Sequence, residues 1–404
     1  LKEYKAELIR MVKNHAISDL SAITGKDATH FSPQPEQIRA PESLLIDGRY
    51  PLSMAEKRFW FLHTLSETPH YYNVSVSYRV LGVLDIHALE QAVSAVINRH
   101  TILRTSFVMH QGEICRSLQP STSFKVSVLS CSDQTEDQWM DTLIQRQKID
   151  FDLFSSPLLR VDFLVNQQAS KTTQDQCLLF CLHHLICDAW SVEILLKEIF
   201  SYYLEYTQGK KALLPDVSLQ YIDYALWQDD QISQKKEALS FWCHQLQNVE
   251  NLLEETDIFA DSLASAGHLL DATPKKNIRR FFLAQNEHEK ILAFSKKNQV
   301  SVFNFMLFCY GLFLYYSFEK QHFAVVVPVT TRNTKAAENM IGCLINTIAV
   351  KFSVDDSLTF TEFFAKMKAS WSNLMPYQEV PFEKIVDAMG FGAKDQKNKY
   401  PIFQ

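Results

Sequence analysis

The stretch Cys181–Ser191 reads CLHHLICDAWS. The apolar residues Leu178 to Leu182 lead into two adjacent histidines, His183 and His184. Asp188 follows, and Trp190 and Ser191 then open a run with helical apolar spacing. The order is strand, short turn, helix. Successive strand residues point to opposite faces of a sheet, so one imidazole is expected to face a cavity while the other is held in the packing. Histidine is the usual general base near neutral pH. A structural reading stands beside this one: a histidine pair in a core, with Asp188 capping the next helix through its backbone N–H groups. A metal centre fits poorly, because adjacent strand histidines diverge and no cysteine or carboxylate spacing completes a ligand set.

Outward from this point the chain alternates between the two periodicities. Ser53–Leu65 reads as a helix with a Trp60/Phe61/Leu62 face, and Asn73–Val83 as a strand. Asp85–Arg99 carries Leu89, Ala92, Val93, Val96 and Ile97 at helical spacing. Ile102–Met109, Leu158–Val165 and Cys177–Leu182 read as strands, and Trp190–Tyr206 as a long amphipathic helix. The second half repeats the theme. Strands are expected at Ile278–Leu283, Phe323–Val329 and Thr347–Phe352, with helices at Glu287–Lys297, Val302–Tyr316 (a buried one) and Phe360–Asn373. Two similar halves of mixed character point to two α/β sandwiches of comparable size. The polar run DDQISQKK at 229–236 suggests their boundary, giving an N-terminal lobe over 50–230 and a C-terminal lobe over 231–404. Residues 1–49 read as an amphipathic helix followed by a proline-bearing linker, either a docking element or the end of a preceding domain.

Composition narrows the function classes. A chain of 404 residues with 47% hydrophobic residues and only 10 glycines can build a full core. Its net charge of −6, without a basic block, argues against nucleic acid as a partner. The 8 cysteines form no CxxC pair, and several sit in apolar runs, which favours free thiols and a reducing, cytoplasmic setting over disulfides or metal. The first residues are charged throughout and resemble no signal peptide. The most apolar run, Val302–Phe318, falls short of the roughly 20 residues a membrane span needs.

Seven segments in order resemble the motifs of nonribosomal peptide synthetase condensation domains, members of the HHxxxDG acyltransferase superfamily. His183-His184-Leu-Ile-Cys-Asp188-Ala189 resembles HHxxxDG. Ser53-Met-Ala-Glu-Lys-Arg58-Phe-Trp60-Phe-Leu62 is similar to SxAQxRLWxL, and Arg99-His100-Thr-Ile-Leu103-Arg104-Thr105-Ser-Phe107 to RHExLRTxF. Tyr221 to Gln228 is similar to YxDYAxWQ, Ile341 to Thr347 to IGxFVNT, Tyr377 to Val386 to HQDVPFEKIV, and Tyr400 to Gln404 to NPLFQ. Trp60, Phe107, Trp227 and Phe382 are expected to serve the core.

The resemblance implies an α/β fold of two chloramphenicol-acetyltransferase-like lobes in a V-shaped pseudodimer, with the site in a tunnel between them. It implies amide-bond formation between a donor acyl thioester and an acceptor aminoacyl group, both on phosphopantetheine arms of partner carrier proteins. Donor and acceptor carriers and adjacent synthetase domains would be the partners, and the domain itself would bind no cofactor or metal. His184 matches the catalytic position, with His183 and Asp188 in support. Arg332 matches the arginine that pairs with the motif aspartate, and a charge-paired carboxylate is poorly basic. Trp190 and Ser191 would start the helix. Ala189 stands where the motif has Gly, which is mild if its φ is negative and disruptive if not. Members of the family usually continue past NPLFQ, so a further C-terminal part is expected. Ester formation or coenzyme A-dependent transfer on the same fold is a second reading, and a non-catalytic carrier-binding recruitment module a third. An epimerization domain fits the start of the helix less well, and a heterocyclization domain would carry Asp in place of the histidines.

Overall fold

The computed structural model describes residues 49–121, 123–132, 134–167, 175–234, 236–250, 282–389 and 402–403. The first part of the chain contains β1 (Arg49–Pro51), α1 (Met54–Leu65), β2 (Asn73–Arg79), α2 (Ile86–Arg99), β3 (Thr105–His110), β4 (Glu113–Leu118), β5 (Ser127–Ser132), α3 (Glu136–Gln147), β6 (Leu159–Gln167), β7 (Asp175–His183) and α4 (Ala189–Gln208). There follow α5 (Tyr221–Gln234), α6 (Lys236–Gln245), α7 (Gln285–Asn298), α8 (Val302–Phe318), β8 (His322–Thr330), α9 (Lys335–Glu338), β9 (Ile345–Ser353), α10 (Phe360–Leu374), α11 (Phe382–Ala388) and β10 (Ile402–Phe403). The expected helix and linker over 1–49 and most of the expected strand at 278–283 lie outside the described residues.

β7 organises the first part. It is central in a sheet of order β2-β7-β6-β5, and Cys177 to His183 are buried without a break. A strand covered on both faces reads as a continuous apolar run rather than an alternating one. Leu178, Phe180 and Leu182 face a core shared with α2 and α4. Cys177, Leu179 and Cys181 point the other way, into a smaller cluster with Leu143 of α3. By that alternation His183 belongs to the α3 side. Both neighbours are antiparallel to β7, with Asn73 opposite His183 and Leu159 opposite Leu182.

A second core gathers Trp242, Phe308, Phe323, Phe352 and Phe364 around β8 and β9, which pair antiparallel. β10 adds to β8 in parallel. Gly311 lets α8 close onto β9, because a methyl group there would overlap the Phe352 ring. One excursion ties the halves together: Ala337, Met340, Ile341, Cys343 and Leu344 leave the second half and pack into the first core.

Several elements differ from the sequence expectation. The strand placed at 102–109 starts at Thr105, after a 3-10 turn over Thr101–Arg104, and the strand placed at 73–83 stops at Arg79. Phe107 is fully buried, whereas Trp60, Trp227 and Phe382 lie half-buried at the core edge. α1 does not bury a Trp60/Phe61/Leu62 face: Phe59 goes in, and Phe61 and Leu62 are exposed. Three consecutive positions span about 200° of a helix, so only part of such a run can meet one core. α8 is likewise buried on one side only, with Leu307, Phe308 and Leu314 inside and Phe313 and Tyr316 outside. A helix lying on one sheet has one face to bury, however apolar the rest is. Among the described residues no single helix is long and apolar enough to cross a membrane.

Candidate active site

The site forms where β7 ends. The His184 N–H donates to the Tyr72 carbonyl at 2.8 Å, and the His183 N–H to the Leu158 carbonyl at 3.1 Å. The strand end is thus held from both sides. Hydrogen bonds from the Ile186 and Cys187 N–H groups back to the His183 and His184 carbonyls then reverse the chain. α4 begins at Ala189, capped by Asp188, whose Oδ1 accepts the Ser191 N–H at 2.7 Å.

Asp188 does more than cap. Arg332 Nη2 donates to its two oxygens at 2.9 and 3.0 Å, and the Leu344 N–H to Oδ2 at 3.0 Å. Arg332 Nη1 donates to the Ala337 and Met340 carbonyls at 2.6 and 2.7 Å. Ser191 Oγ lies 2.7 Å from both Asp188 Oδ1 and the Gly342 carbonyl oxygen, and accepts from Arg332 Nη2 and the Gly342 N–H. The cluster is closed to water, with Asp188 at 3% and Arg332 at 6% exposure. Trp190 Nε1–H donates to the Glu338 carbonyl at 2.9 Å, and its ring lies 5.8 Å from the Arg332 guanidinium carbon. Ala189 is an exposed first helical residue and is not among the residues with positive φ, so the position makes no demand for glycine.

The two histidines sit in different surroundings. His183 is fully buried. Its Nδ1 accepts the Leu185 N–H at 3.1 Å, so the neutral ring carries its proton on Nε2. That proton is donated to Nδ1 of His63, 3.0 Å away. Burial, with His63 and His184 beside it, pushes His183 down to about 3. His184 is half-buried, and its ring lies flat on Phe59, with centroids 4.3 Å apart and planes 13° apart. Its Nδ1 is 3.9 Å from the Cys343 sulfur. Nε2 makes no hydrogen bond to any described residue. Burial lowers the His184 pKa below its ordinary value, opposed by its own and the Cys187 backbone carbonyls, which accept from the ring, and by the Asp188 charge. Burial also pushes the Cys343 thiol up, which keeps it protonated.

Residues outside the sequence-selected set complete the site. Phe59 and His63 lie one turn apart on α1, at the spacing that puts them on one stripe, and they contact His184 and His183 respectively. The start of α1 is anchored by a capping box between Ser53 and Glu56. Ser53 Oγ bonds Tyr221 Oη at 2.8 Å, and Tyr221 Oη donates to the Cys343 carbonyl at 2.8 Å. Gly342 makes room for that tyrosine, since a Cβ there would overlap its ring. Arg58 reaches across to Thr347 and Glu383, at 3.3 and 3.2 Å. The spacing of Phe59 and His63 was visible in the sequence, but nothing there linked it to the histidine pair.

The His183 geometry carries a pH prediction. In the unfolded chain this histidine titrates near its ordinary 6.5, and in the folded protein near 3. Below 6.5 the unfolded state therefore takes up a proton that the folded state refuses. The stabilisation is complete above pH 6.5 and is lost as pH falls toward 3, at about 1.4 kcal/mol per pH unit. Denaturant unfolding from pH 7 to 5 should show this slope, and His183→Asn should flatten it; equal slopes in both proteins would refute the assignment.

The Condensation domain family matches residues 46–404. The chain is 28% identical over 396 residues to a linear gramicidin synthase of Brevibacillus parabrevis, covering 96% of this chain and 7% of that protein. It is 28% identical to cyclosporin synthetase of Tolypocladium inflatum, over 91% of this chain and 2% of the synthetase. It thus spans a small part of the peptide synthetases it matches. Among solved structures, the X-domain from teicoplanin biosynthesis superposes with a TM-score of 0.71 at 19% identity, over 88% of this chain and 76% of that one. The condensation domain of the Monacolin K polyketide synthase superposes with a TM-score of 0.68 at 17% identity, over 88% and 80%. These likenesses establish the two-lobed, chloramphenicol-acetyltransferase-like α/β fold. With the family match running from β1 through the His183–Asp188 turn to the end of the chain, the protein belongs to the condensation-domain family of nonribosomal peptide synthetases.

Proposed function

We propose that this domain catalyses amide-bond formation between an acyl thioester on a donor carrier protein and the amine of an aminoacyl group on an acceptor carrier, both on phosphopantetheine arms. The observation that carries this reading is the free Nε2 of a neutral, ring-clamped His184. With its proton on Nδ1, the imidazole presents the Nε2 lone pair. The acceptor amine attacks the thioester carbon, and its proton passes to Nε2. The carbon–sulfur bond breaks, the electrons leave on the donor sulfur, and the proton is returned there to give a free thiol. Tethering both reactants supplies much of the rate, so the protein's contribution is placement and one proton acceptor. Asp188, held by Arg332 and three further donors, is a structural support in this scheme and not a base.

The test is transfer between carriers. The full-length protein is mixed with an acyl-loaded donor carrier and an aminoacyl-loaded acceptor carrier, and the acceptor arm is followed by intact-protein mass spectrometry. A mass gain equal to the acyl group supports the reading. A hydroxyl-bearing acceptor that reacts in preference to the amine would move the assignment to ester formation. Carrier binding without transfer for any loaded pair would favour a recruitment module. The X-domain relative has been observed in complex with OxyB, so the fold can also serve as a platform for another protein.

A further inference from the structure

The face of the His184 ring is better held than its edges. Neither ring nitrogen has a hydrogen bond of good geometry to a side chain: Nδ1 lies 3.9 Å from the Cys343 sulfur, and otherwise only the backbone of His184 itself and of Cys187 bears on the ring. The nearby carboxylate of Asp188 is taken up by Arg332, Ser191 and the Leu344 N–H, none of which belongs to the imidazole. A catalytic histidine is commonly oriented by a partner on its second nitrogen. Here the firm contact is flat, the phenyl ring of Phe59 at 4.3 Å and 13°.

We infer that Phe59 is the positioning residue of the transfer site, the plate on which His184 lies so that Nε2 points at the reacting amine. This rests on the reading of His184 as the proton acceptor. Rotation of the imidazole about its Cβ–Cγ bond would lift one edge off the phenyl ring and lose the stacking, so the contact selects one ring plane. The plate itself cannot drift. Phe59 is 8% exposed and packs in the first core. Its helix is pinned at the start through Ser53, Tyr221 and the Cys343 carbonyl. Arg58, with its guanidinium 5.2 Å from the Phe59 ring, ties the same turn to Thr347 and Glu383 of the other half. The same tethers therefore set the plate relative to both halves of the molecule. The motif that Ser53–Leu62 resembles has Leu at this place, and an aliphatic side chain offers no plane. Phe59 touches no reacting atom and acts only through His184.

The experiment compares Phe59→Leu and Phe59→Met with the wild type in the full-length protein, each first checked for an unchanged circular dichroism spectrum and melting curve. In the carrier-to-carrier assay kcat should fall about tenfold, the scale of a small misplacement of a catalytic group, with KM for both loaded carriers unchanged. In parallel, the His184 ring protons should lose the ring-current shift that a stacked phenyl imposes, read by NMR with His184→Asn for assignment. A folded variant with kcat within twofold of wild type, or an unmoved His184 resonance, would overturn the inference. If the wild type transfers nothing, the functional reading fails separately. The resonance then decides alone: loss of the shift in the variants supports the plate, and an unmoved signal overturns it.

Discussion

Replacing His184 by alanine should lower carrier-to-carrier transfer by about two to four orders of magnitude, the range assigned to a positioned general base, while the melting temperature stays near that of the wild type. The side chain is half-buried and donates or accepts no strong hydrogen bond, so its removal breaks little of the fold. The effect should fall on kcat, because the proton acceptor acts in the transition state and not on carrier docking. The wild-type rate should also depend on pH with a defined sign. Burial lowers the His184 pKa below the ordinary 6.5, so the imidazole is neutral and competent at pH 7. Activity should fall only below pH 6.5, tenfold per unit once the ring is protonated. A variant that keeps more than a tenth of wild-type kcat, or an acid limb above pH 6.5, would remove His184 from the proposed role.

The second large effect is on stability. Arg332→Ala and Asp188→Ala should each destabilise the protein by about 3–5 kcal/mol, because each leaves the other's charge buried and unpaired. Asp188→Ala also removes the α4 cap, which typically contributes about 1 kcal/mol. Denaturant unfolding of the two single variants and the double variant checks this. The double variant should lose clearly less than the sum of the two, since the second substitution removes a charge that the first had stranded. Additive losses, or single losses below about 1 kcal/mol, would show that the pair does not hold the loop. Arg332→Lys should not rescue. The guanidinium serves Asp188 with one nitrogen and the Ala337 and Met340 carbonyls with the other, and one ammonium group cannot span both.

These effects bear on how far the chain could be read before it was seen folded. Where one local pattern sets one element, the reading is close. Leu89, Ala92, Val93, Val96 and Ile97 at helical spacing are all fully buried on α2, and the turn from His183 to Asp188 sits between a strand and a helix as its apolar run and cap residue suggest. Where burial depends on what lies opposite, the reading drifts. α1 puts Phe59 inside instead of Phe61, and α8 is apolar on sides that only one sheet is present to cover. β5 and α3 have weakly apolar sequences with little local signal, and they cover the Cys177, Leu179 and Cys181 face of β7.

By itself the sequence determined the local grammar: a buried strand ending in two histidines, a cap, a helix, and ordered motifs whose resemblance named the fold. Hydrogen bonds between neighbours and alternation along a strand are properties of consecutive residues, so they are legible there. Only the tertiary structure decided which side chains meet across the chain. Arg332 reaches Asp188 over 144 positions, and His183 meets His63 over 120. Phe59 becomes the seat of His184 because α1 is pinned by Ser53, Tyr221 and Arg58 onto the end of β7. Such contacts come from the packing of whole elements, whose free energy is shared over many residues, and no single stretch of sequence contains it.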